Sequence, residues 1–378
     1  FVIGILFGIL TILSQKSIGA IAEESTLPIL HRFVFACYGF SIYLLKTIFP
    51  FGLSAFYPYP IDSGDTIPIA YWLSLIPVIA ILGLIIYFLK KKRDYAFALL
   101  FYVLNIVLVL QIIQINDFVM ADRFMYVASL GLILIMALLY RDVLKKYPDR
   151  SSILRIGVAA YGVVLLFMTS NRTEVWKDSI SIWNDIINQY PDEIPKAYYF
   201  RGHSRIDNQD YQAAMNDFNK VIELEPKYYL PLAYHSRATT NANLGNIQKA
   251  LADLESAIRL DPEDSKFYLL RAQIRLNQKD TISAKRDYDK IIELNPEDYS
   301  AYYYRAIFFT QTKKYPSALE DYNQVVLLNP DMGEIYYNRA IIKLQLKQRE
   351  GACEDFRIAE GLGYERAKSM IRNNCLRF

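Results

Sequence analysis

The chain changes its hydrophobic rhythm once, near residue 172. Before that point apolar residues run almost unbroken, at about 1–13, 30–49, 67–89, 94–115, 123–140 and 152–170. Runs this long predict helices buried on all sides or facing lipid, and the 67–89 run is long enough to span a bilayer unaided. Six membrane helices are expected, because a helix satisfies its own backbone in hydrocarbon. The run at 1–13 opens on Phe1 rather than Met, which suggests a chain cut at its N-terminus.

After residue 172 apolar residues recur on helical faces. They do so in one unit of about 34 residues, written five times. Each copy places Arg before a small residue: Arg201-Gly202, Arg237-Ala238, Arg271-Ala272, Arg305-Ala306 and Arg339-Ala340. At a fixed interval after the small residue comes Ala: Ala214, Ala250, Ala284, Ala318 and Ala352. A large residue stands one helical turn further on: Phe218, Leu254, Tyr288, Tyr322 or Phe356. Pro226, Pro262, Pro296 and Pro330 close four copies. Small residues let two helix axes approach, the large residue fills the gap, and Pro ends the second helix. Such hairpins cannot bury their apolar faces alone and must stack.

Period and residue order together resemble the tetratricopeptide repeat. The expected fold is therefore all-α: a polytopic helical membrane domain followed by a TPR α-solenoid. The boundaries read as a membrane domain over 1–172, a half-repeat joint over 173–193, five repeats over 194–364 and a capping helix over 365–378. In the joint, Ser179 and Trp183 stand where Ala and the large residue belong. The array is thus expected to follow the last membrane helix without a flexible linker.

Charge adds an orientation. The first part carries 14 Lys/Arg against 9 Asp/Glu, the rest 28 against 30. Lys90-Lys91-Lys92-Arg93 and the 141–150 stretch are strongly basic, which puts both on the cytoplasmic side. The 50–68 loop, with Asp62 and Asp65, and the 116–122 loop, with Asp117, fall outside. The repeats are then periplasmic or lumenal. No basic stripe suggests nucleic acid. His31, His203 and His235 lack metal-ligand spacing, so no metal site is expected. No phosphate loop or nucleophile triad appears.

Three further stretches carry a second resemblance. They are Tyr43 to Lys46 continuing through Pro50 to Pro60, then Ala121 to Gly131, and Arg172 to Trp183. In this order, ahead of a repeat array, they look like the C-terminal part of the transmembrane-and-TPR proteins associated with protein O-mannosylation. That resemblance implies a glycosyltransferase using a polyprenyl-phosphate sugar donor, its catalytic acidic loop lying before Phe1. No catalytic residue is assigned in this chain. Asp122 and Arg123 at a helix mouth, Arg172, and Tyr57 in the Tyr-Pro-Tyr-Pro loop are candidates for holding the lipid phosphate and sugar. A snorkelling Arg and an aromatic belt are the ordinary alternatives. The other functional class is a membrane-anchored TPR scaffold with no chemistry.

Within the array, each Arg is followed 16 residues later by an Asp. The pairs are Arg201 with Asp217, Arg237 with Asp253, Arg271 with Asp287, Arg305 with Asp321, and Arg339 with Asp355. They are expected to form partly buried structural ion pairs within or between hairpins. The groove is expected to present Lys196, Tyr199, His203, His235, Lys266, Gln273, Tyr303 and Tyr337. Only Asn338 resembles the Lys/Asn clamp that captures chaperone C-termini, so an extended protein or peptide segment is the expected ligand, with membrane lipid as the other partner. Packing onto the membrane domain is the alternative use of that face. Cys353 and Cys375 could join as a disulfide in an oxidising compartment, while Cys37 is read as packing. Asn171-Arg172-Thr173 is a glycosylation sequon too close to the membrane to expect use.

Overall fold

The structure is a computed structural model that describes residues 27–59, 66–107, 109–110, 112 and 118–375. The 1–13 run, Asp62, Asp65 and Asp117 lie outside the described residues. The chain divides into two compact units, 1–201 and 202–378. The first unit extends well past residue 172, taking in the half-repeat and much of helix Pro195–Asp207.

In the first unit the apolar runs become helices α1 (Ile29–Ile48), α2 (Ile69–Trp72), α3 (Leu75–Lys91), α4 (Arg93–Val107), α5 (Met125–Lys146) and α6 (Ser151–Val175). Four segments are long and apolar enough to cross a membrane: Ile29–Ile48, Ile69–Lys91, Asp122–Lys146 and Pro148–Val175. The last buries none of its apolar window, with Ile153 72%, Leu166 72% and Phe167 67% exposed. Such a face needs lipid or a partner.

Among the described residues the 94–115 run supplies a helix shorter than a full span. Its helix stops at Val107, after 15 residues. At the usual rise per residue it covers roughly 22 Å of a hydrocarbon core about 30 Å thick. A turn after the helix seats Leu110 against α1 at Gly39, where an added Cβ would lie 3.4 Å from Leu110 and 3.5 Å from Met120. Beyond it, strand β2 (Phe118–Met120) pairs antiparallel with β1 (Tyr57–Pro58). At the opposite end Lys92 bonds Asp142. Arg93–Val107 thus starts beside the Lys92–Asp142 contact, and Phe118–Met120 lies in the two-stranded pairing with Tyr57–Pro58.

Helix α4 packs on α5 through a glycine. A Cβ on Gly131 would meet Ala98 O at 2.6 Å and Tyr102 N at 2.8 Å, both backbone. Gly131→Ala is therefore expected to destabilise the bundle by about 1–3 kcal/mol, as overpacking does. Thermal unfolding in detergent checks this, and an unchanged midpoint would refute the close approach.

After α6 come α7 (Ser179–Gln189) and α8 (Pro195–Asp207). The segment 171–195 is helix, turn and helix throughout, with no irregular linker. The second unit continues with α9 (Tyr211–Leu224), α10 (Tyr229–Asn243), α11 (Ile247–Leu260), α12 (Ser265–Asn277), α13 (Thr281–Leu294), α14 (Tyr299–Gln311), α15 (Tyr315–Leu328), α16 (Gly333–Gln345), α17 (Arg349–Gly361) and the cap α18 (Arg366–Asn374). Ala214, Ala250, Ala284, Ala318 and Ala352 are all fully buried, as are Phe218, Leu254 and Phe356. Gly202 is a Gly because a Cβ there would lie 2.8 Å from the Phe218 ring. Each buried large side chain contributes about 1.5–3 kcal/mol of apolar transfer. Asp210, Asp264, Asp280 and Asp298 cap helices by accepting a backbone N–H of the first turn.

Candidate functional site

Among the described residues, the candidate site residues fall in two places. One is the strand-and-loop end of the first unit. The other is the first-helix face of the repeats.

At the first, the 51–58 loop is held from three sides. Lys46 Nζ donates to Phe51 O at 2.9 Å and to Gly52 O at 2.6 Å. The Tyr57 hydroxyl donates to Asp122 Oδ1 at 2.8 Å and accepts from Ser54 N at 2.9 Å. The Tyr43 hydroxyl donates to Ala121 O at 3.0 Å and accepts the Ala121 N–H at 2.9 Å, pinning the second strand to α1. From the half-repeat, Gln189 Nε2 donates to Leu53 O at 2.9 Å, and Trp183 stacks on Phe56 at 5.7 Å. Burial and the neighbouring Asp122 charge push the Tyr57 phenol far up, so it acts as a donor and not as a base.

Arg123 and Arg172 have different surroundings. The Arg123 guanidinium lies 4.9 Å from the Phe56 ring, 5.6 Å from Phe118 and 5.0 Å from Phe124, and Nη1 donates to Ala55 O at 3.3 Å. It is enclosed by rings and braces the loop. Arg172 lines a cavity of about 500 Å³ with Pro50 to Leu53, Met168, Thr169, Asn171, Val175, Asp185 and Gln189. Its Nη1 donates to Asp185 Oδ2 at 2.8 Å, while Nη2 is buried with no hydrogen-bond partner. Asp122 Oδ2 is likewise buried and unpartnered. Of the four candidates, Tyr57 and Asp122 are joined by their hydrogen bond and Asp122 feels the Arg172 charge, while Arg172 lines this cavity and Tyr57 lines another of about 250 Å³ with Tyr38, Tyr71, Tyr190 and Glu193. Asp185 and Gln189 were missed by sequence reasoning and nothing local marks them, while Lys46 stood in a motif stretch without being given a role.

In the array each arginine from the second copy onward takes its aspartate through two guanidinium nitrogens, Nε and Nη2. Arg237 reaches Asp253 at 3.1 and 2.6 Å, and Arg271 reaches Asp287 at 3.1 and 2.7 Å. Arg305 reaches Asp321 at 2.8 and 2.7 Å, and Arg339 reaches Asp355 at 2.9 and 2.7 Å. Each of these arginines also lies over the ring of a tyrosine three positions earlier. Asp217 takes Arg205 at 2.8 Å, and Arg201 donates to Asn184 at 2.7 Å.

In each of these pairs the carboxylate is the deeper member and the arginine the shallower one. Asp253 is 6% exposed, Asp321 3% and Asp355 1%, and Asp217 and Asp287 are 2% each. All five carboxylates are buried, although Asp321 and its partner Arg305 still line an open surface depression with Tyr302, Glu320, Asn323 and Gln324. They are set so deep because each stands one position before the large buried residue on the second helix of its hairpin. The arginines keep one edge towards solvent, so only their side of each pair is partly buried.

Two features escaped the sequence pattern. A cation four places after the repeat arginine reaches three of the aspartates: Arg205 on Asp217, Arg275 on Asp287 and Lys343 on Asp355. Asp253 instead accepts a third bond, from Asn241 at 3.1 Å. The residue two places after the aspartate receives the next copy's arginine: Asn219 from Arg237, Asp289 from Arg305 and Asn323 from Arg339. The aspartate contact closes a hairpin, and this last contact joins neighbouring hairpins. The i+4 spacing of the second cation was the available signal.

The expected groove residues divide. Lys196 places its ammonium 5.3 and 4.9 Å from the Phe56 and Phe118 rings in the first unit, which corrects its reading as a groove contact. Tyr199, also in that unit, packs edge-on against Phe200 at 5.3 Å. His203 Nε2 lies 3.0 Å from Ser236 Oγ, and His235 lies against Phe267 at 5.3 Å, so both are packing groups. Lys266 and Gln273 are exposed. Tyr303 donates to Glu334 at 3.3 Å and accepts from Asn338 at 3.5 Å. Burial, then the Glu334 charge, push its phenol up to about 12. Tyr337 is held between Phe356 at 5.6 Å and Tyr364 at 5.0 Å. Of the expected groove residues in the second unit, Lys266 and Gln273 are the exposed ones, while Tyr303 and Tyr337 are anchored by their neighbours.

Burial lowers both histidines below the ordinary 6.5, against opposing carboxylates at Asp207 and Asp264. Above that pH both states are neutral. Below it the unfolded chain binds protons that the folded chain refuses until its lowered pKa is reached, so stability falls as pH falls. The repeats are expected to lose melting temperature from pH 6.5 towards 5, and a His203→Asn/His235→Asn double variant is expected to flatten that slope. An equal slope in both proteins would refute it.

The second unit is thus a helical-repeat solenoid with one shared scaffold of ion pairs. Family models of the tetratricopeptide repeat match residues 195–228 and 265–298, and 235–281 and 283–332, so this part of the chain is built of tetratricopeptide repeats. A Dictyostelium discoideum DnaJ homolog subfamily C member 7 homolog is 31% identical over 81 residues, and the chain spans only 15% of its length. Similar solved structures include MamA from Desulfovibrio magneticus RS-1 (17% identity, 46% of this chain and 96% of that one, TM-score 0.40). YrrB, described as a TPR protein with an unusual peptide-binding site, gives 16% identity, 50% and 97% coverage and a TM-score of 0.40. Pseudomonas aeruginosa pilF gives 17% identity, 46% and 78% coverage and a TM-score of 0.40.

Proposed function

We propose that this chain is the membrane-and-repeat portion of a glycosyltransferase that uses a polyprenyl-phosphate sugar, with the repeats engaging the protein acceptor. Protein–protein interaction is the role that tetratricopeptide repeats suggest in general. The donor half of the reading is carried by one observation: the cavity at Arg172, where a buried guanidinium nitrogen has no partner. A phosphate oxygen would satisfy it, and a guanidinium suits that geometry. Lys46 adds positive charge from the loop side. Arg123, enclosed by rings, is assigned to loop support instead. The repeats then lie outside the cytoplasm, a placement supported by the basic loops and by the Cys353–Cys375 bond.

Native mass spectrometry of the protein with a polyprenyl phosphate tests the donor site. Arg172→Gln is expected to lose the bound lipid, and undiminished retention would end this reading. On the repeats, a photo-crosslinking residue at Gln273 is expected to capture polypeptide where one at exposed Leu327 does not. A scaffold without chemistry is the second reading, favoured by family matches that fall on the repeats alone.

A further inference from the structure

The two basic loops meet in space. Lys92 Nζ reaches Asp142, and Tyr95 donates to the same carboxylate at 3.0 Å, so the ends of α3 and α5 are clamped side by side. Arg141 also pairs with Asp142 at 3.2 Å. Six further cations at this end form no ion pair among the described residues: Lys90, Lys91, Arg93, Lys145, Lys146 and Arg150. All six are exposed. The whole chain is only +3, so this end holds positive charge in excess of the molecule's balance.

Two observations say what faces this charge. The cations sit where exposed apolar helix ends: Ile86 is 62% exposed and Leu89 51% on one side, and Ile153 72% and Ile156 69% on the other. Aromatic rings stand at the same level, with Lys91 Nζ 4.6 Å from the Tyr87 ring, and Lys146 and Arg150 at 5.3 and 5.9 Å from Tyr147. Tyrosines that lie under cations at the edge of an apolar band fit the headgroup layer. A nucleic acid has no use for that adjoining apolar surface.

We infer that this end of the bundle is a binding collar for anionic lipid headgroups, with Lys90, Lys91, Arg93, Lys145, Lys146 and Arg150 as the contacts and the Lys92–Asp142 clamp setting their spacing. The inference rests on the reading that the apolar helices cross a membrane. Juxtamembrane cations attract acidic lipids within about one Debye length of the surface.

The test uses the full chain in nanodiscs of phosphatidylcholine, alone or with one third phosphatidylglycerol. At low salt, phosphatidylglycerol is expected to raise the melting temperature and to be retained several-fold over phosphatidylcholine in native mass spectrometry. Both effects are expected to vanish at high salt and in a Lys90→Gln/Lys91→Gln/Lys145→Gln/Lys146→Gln variant, and to persist when the same four become Arg. A protein that inserts but shows no lipid preference overturns the collar alone. A protein that fails to insert overturns the membrane reading with it. Tight binding of a single-stranded oligonucleotide by the detergent-solubilised protein, lost in the same variant, overturns the choice of lipid.

Discussion

Asp287→Ala is expected to destabilise the third hairpin by about 3–5 kcal/mol, the range for removing one partner of a buried ion pair. Its side chain is 3% exposed and takes two bonds from Arg271 and one, at 2.8 Å, from Arg275. Removing it leaves two mostly buried guanidinium groups without their carboxylate. The repeats stack as neighbours, so the loss is expected to be local, seen as faster hydrogen exchange in Ser265–Asn277 and Thr281–Leu294 before other helices. A loss below about 1 kcal/mol would mean that the pair is solvated, as exposed pairs are. Replacing the whole cluster with apolar residues of similar volume is expected to recover much of the loss.

Reduction of Cys353–Cys375 is the second large effect. The two cysteines are 22 residues apart in the chain. Chain entropy for a loop of that size gives about 3 kcal/mol. What the bond holds is small. Helix α18 has nine residues and buries only Ala367 fully, with Met370 and Ile371 packed against the Ala352 and Phe356 cluster. Arg349 Nε adds a bond to Asn374 O at 2.7 Å. Without the sulfur link the cap is expected to fray. Trypsin cleavage after Arg366 or Lys368 is then expected to appear under reductant, with the rest of the repeats intact. Resistance of the reduced protein would show that packing alone holds the cap.

Much of this was legible because it repeats. Ala214 to Ala352 and the large residue after each recur at one spacing, and the structure buries them all. The aspartate partner of Arg237, Arg271, Arg305 and Arg339 was visible for the same reason, but its depth was not. A sequence shows that Asp253, Asp321 and Asp355 recur, not that their neighbours close over them. The position two places on was hidden because it changes chemistry from Asn219 to Glu255 to Asp289 to Asn323. The end of α4 was hidden because apolar residues continue through Leu110, and only the dent at Gly39 explains where Leu110 goes. At the loop end, contacts join residues far apart in the chain. Tyr57 meets Asp122 across 65 residues and Gln189 meets Leu53 across 136. Sequence proximity paired Asp122 with Arg123, but the fold gives the carboxylate to a tyrosine and the guanidinium to three rings.

The row two places after the aspartate has one gap. Asn219, Asp289 and Asn323 each receive the following copy's arginine, whereas Glu255 stands at the matching position and takes nothing from Arg271 among the described residues. Seen as a spring, the array then has unequal stiffness along its length. The softest coil lies between Leu260 and Ser265, where no such cross-strut joins the second hairpin to the third. Under tension between the two ends of the array, that is the place at which extension is expected to begin.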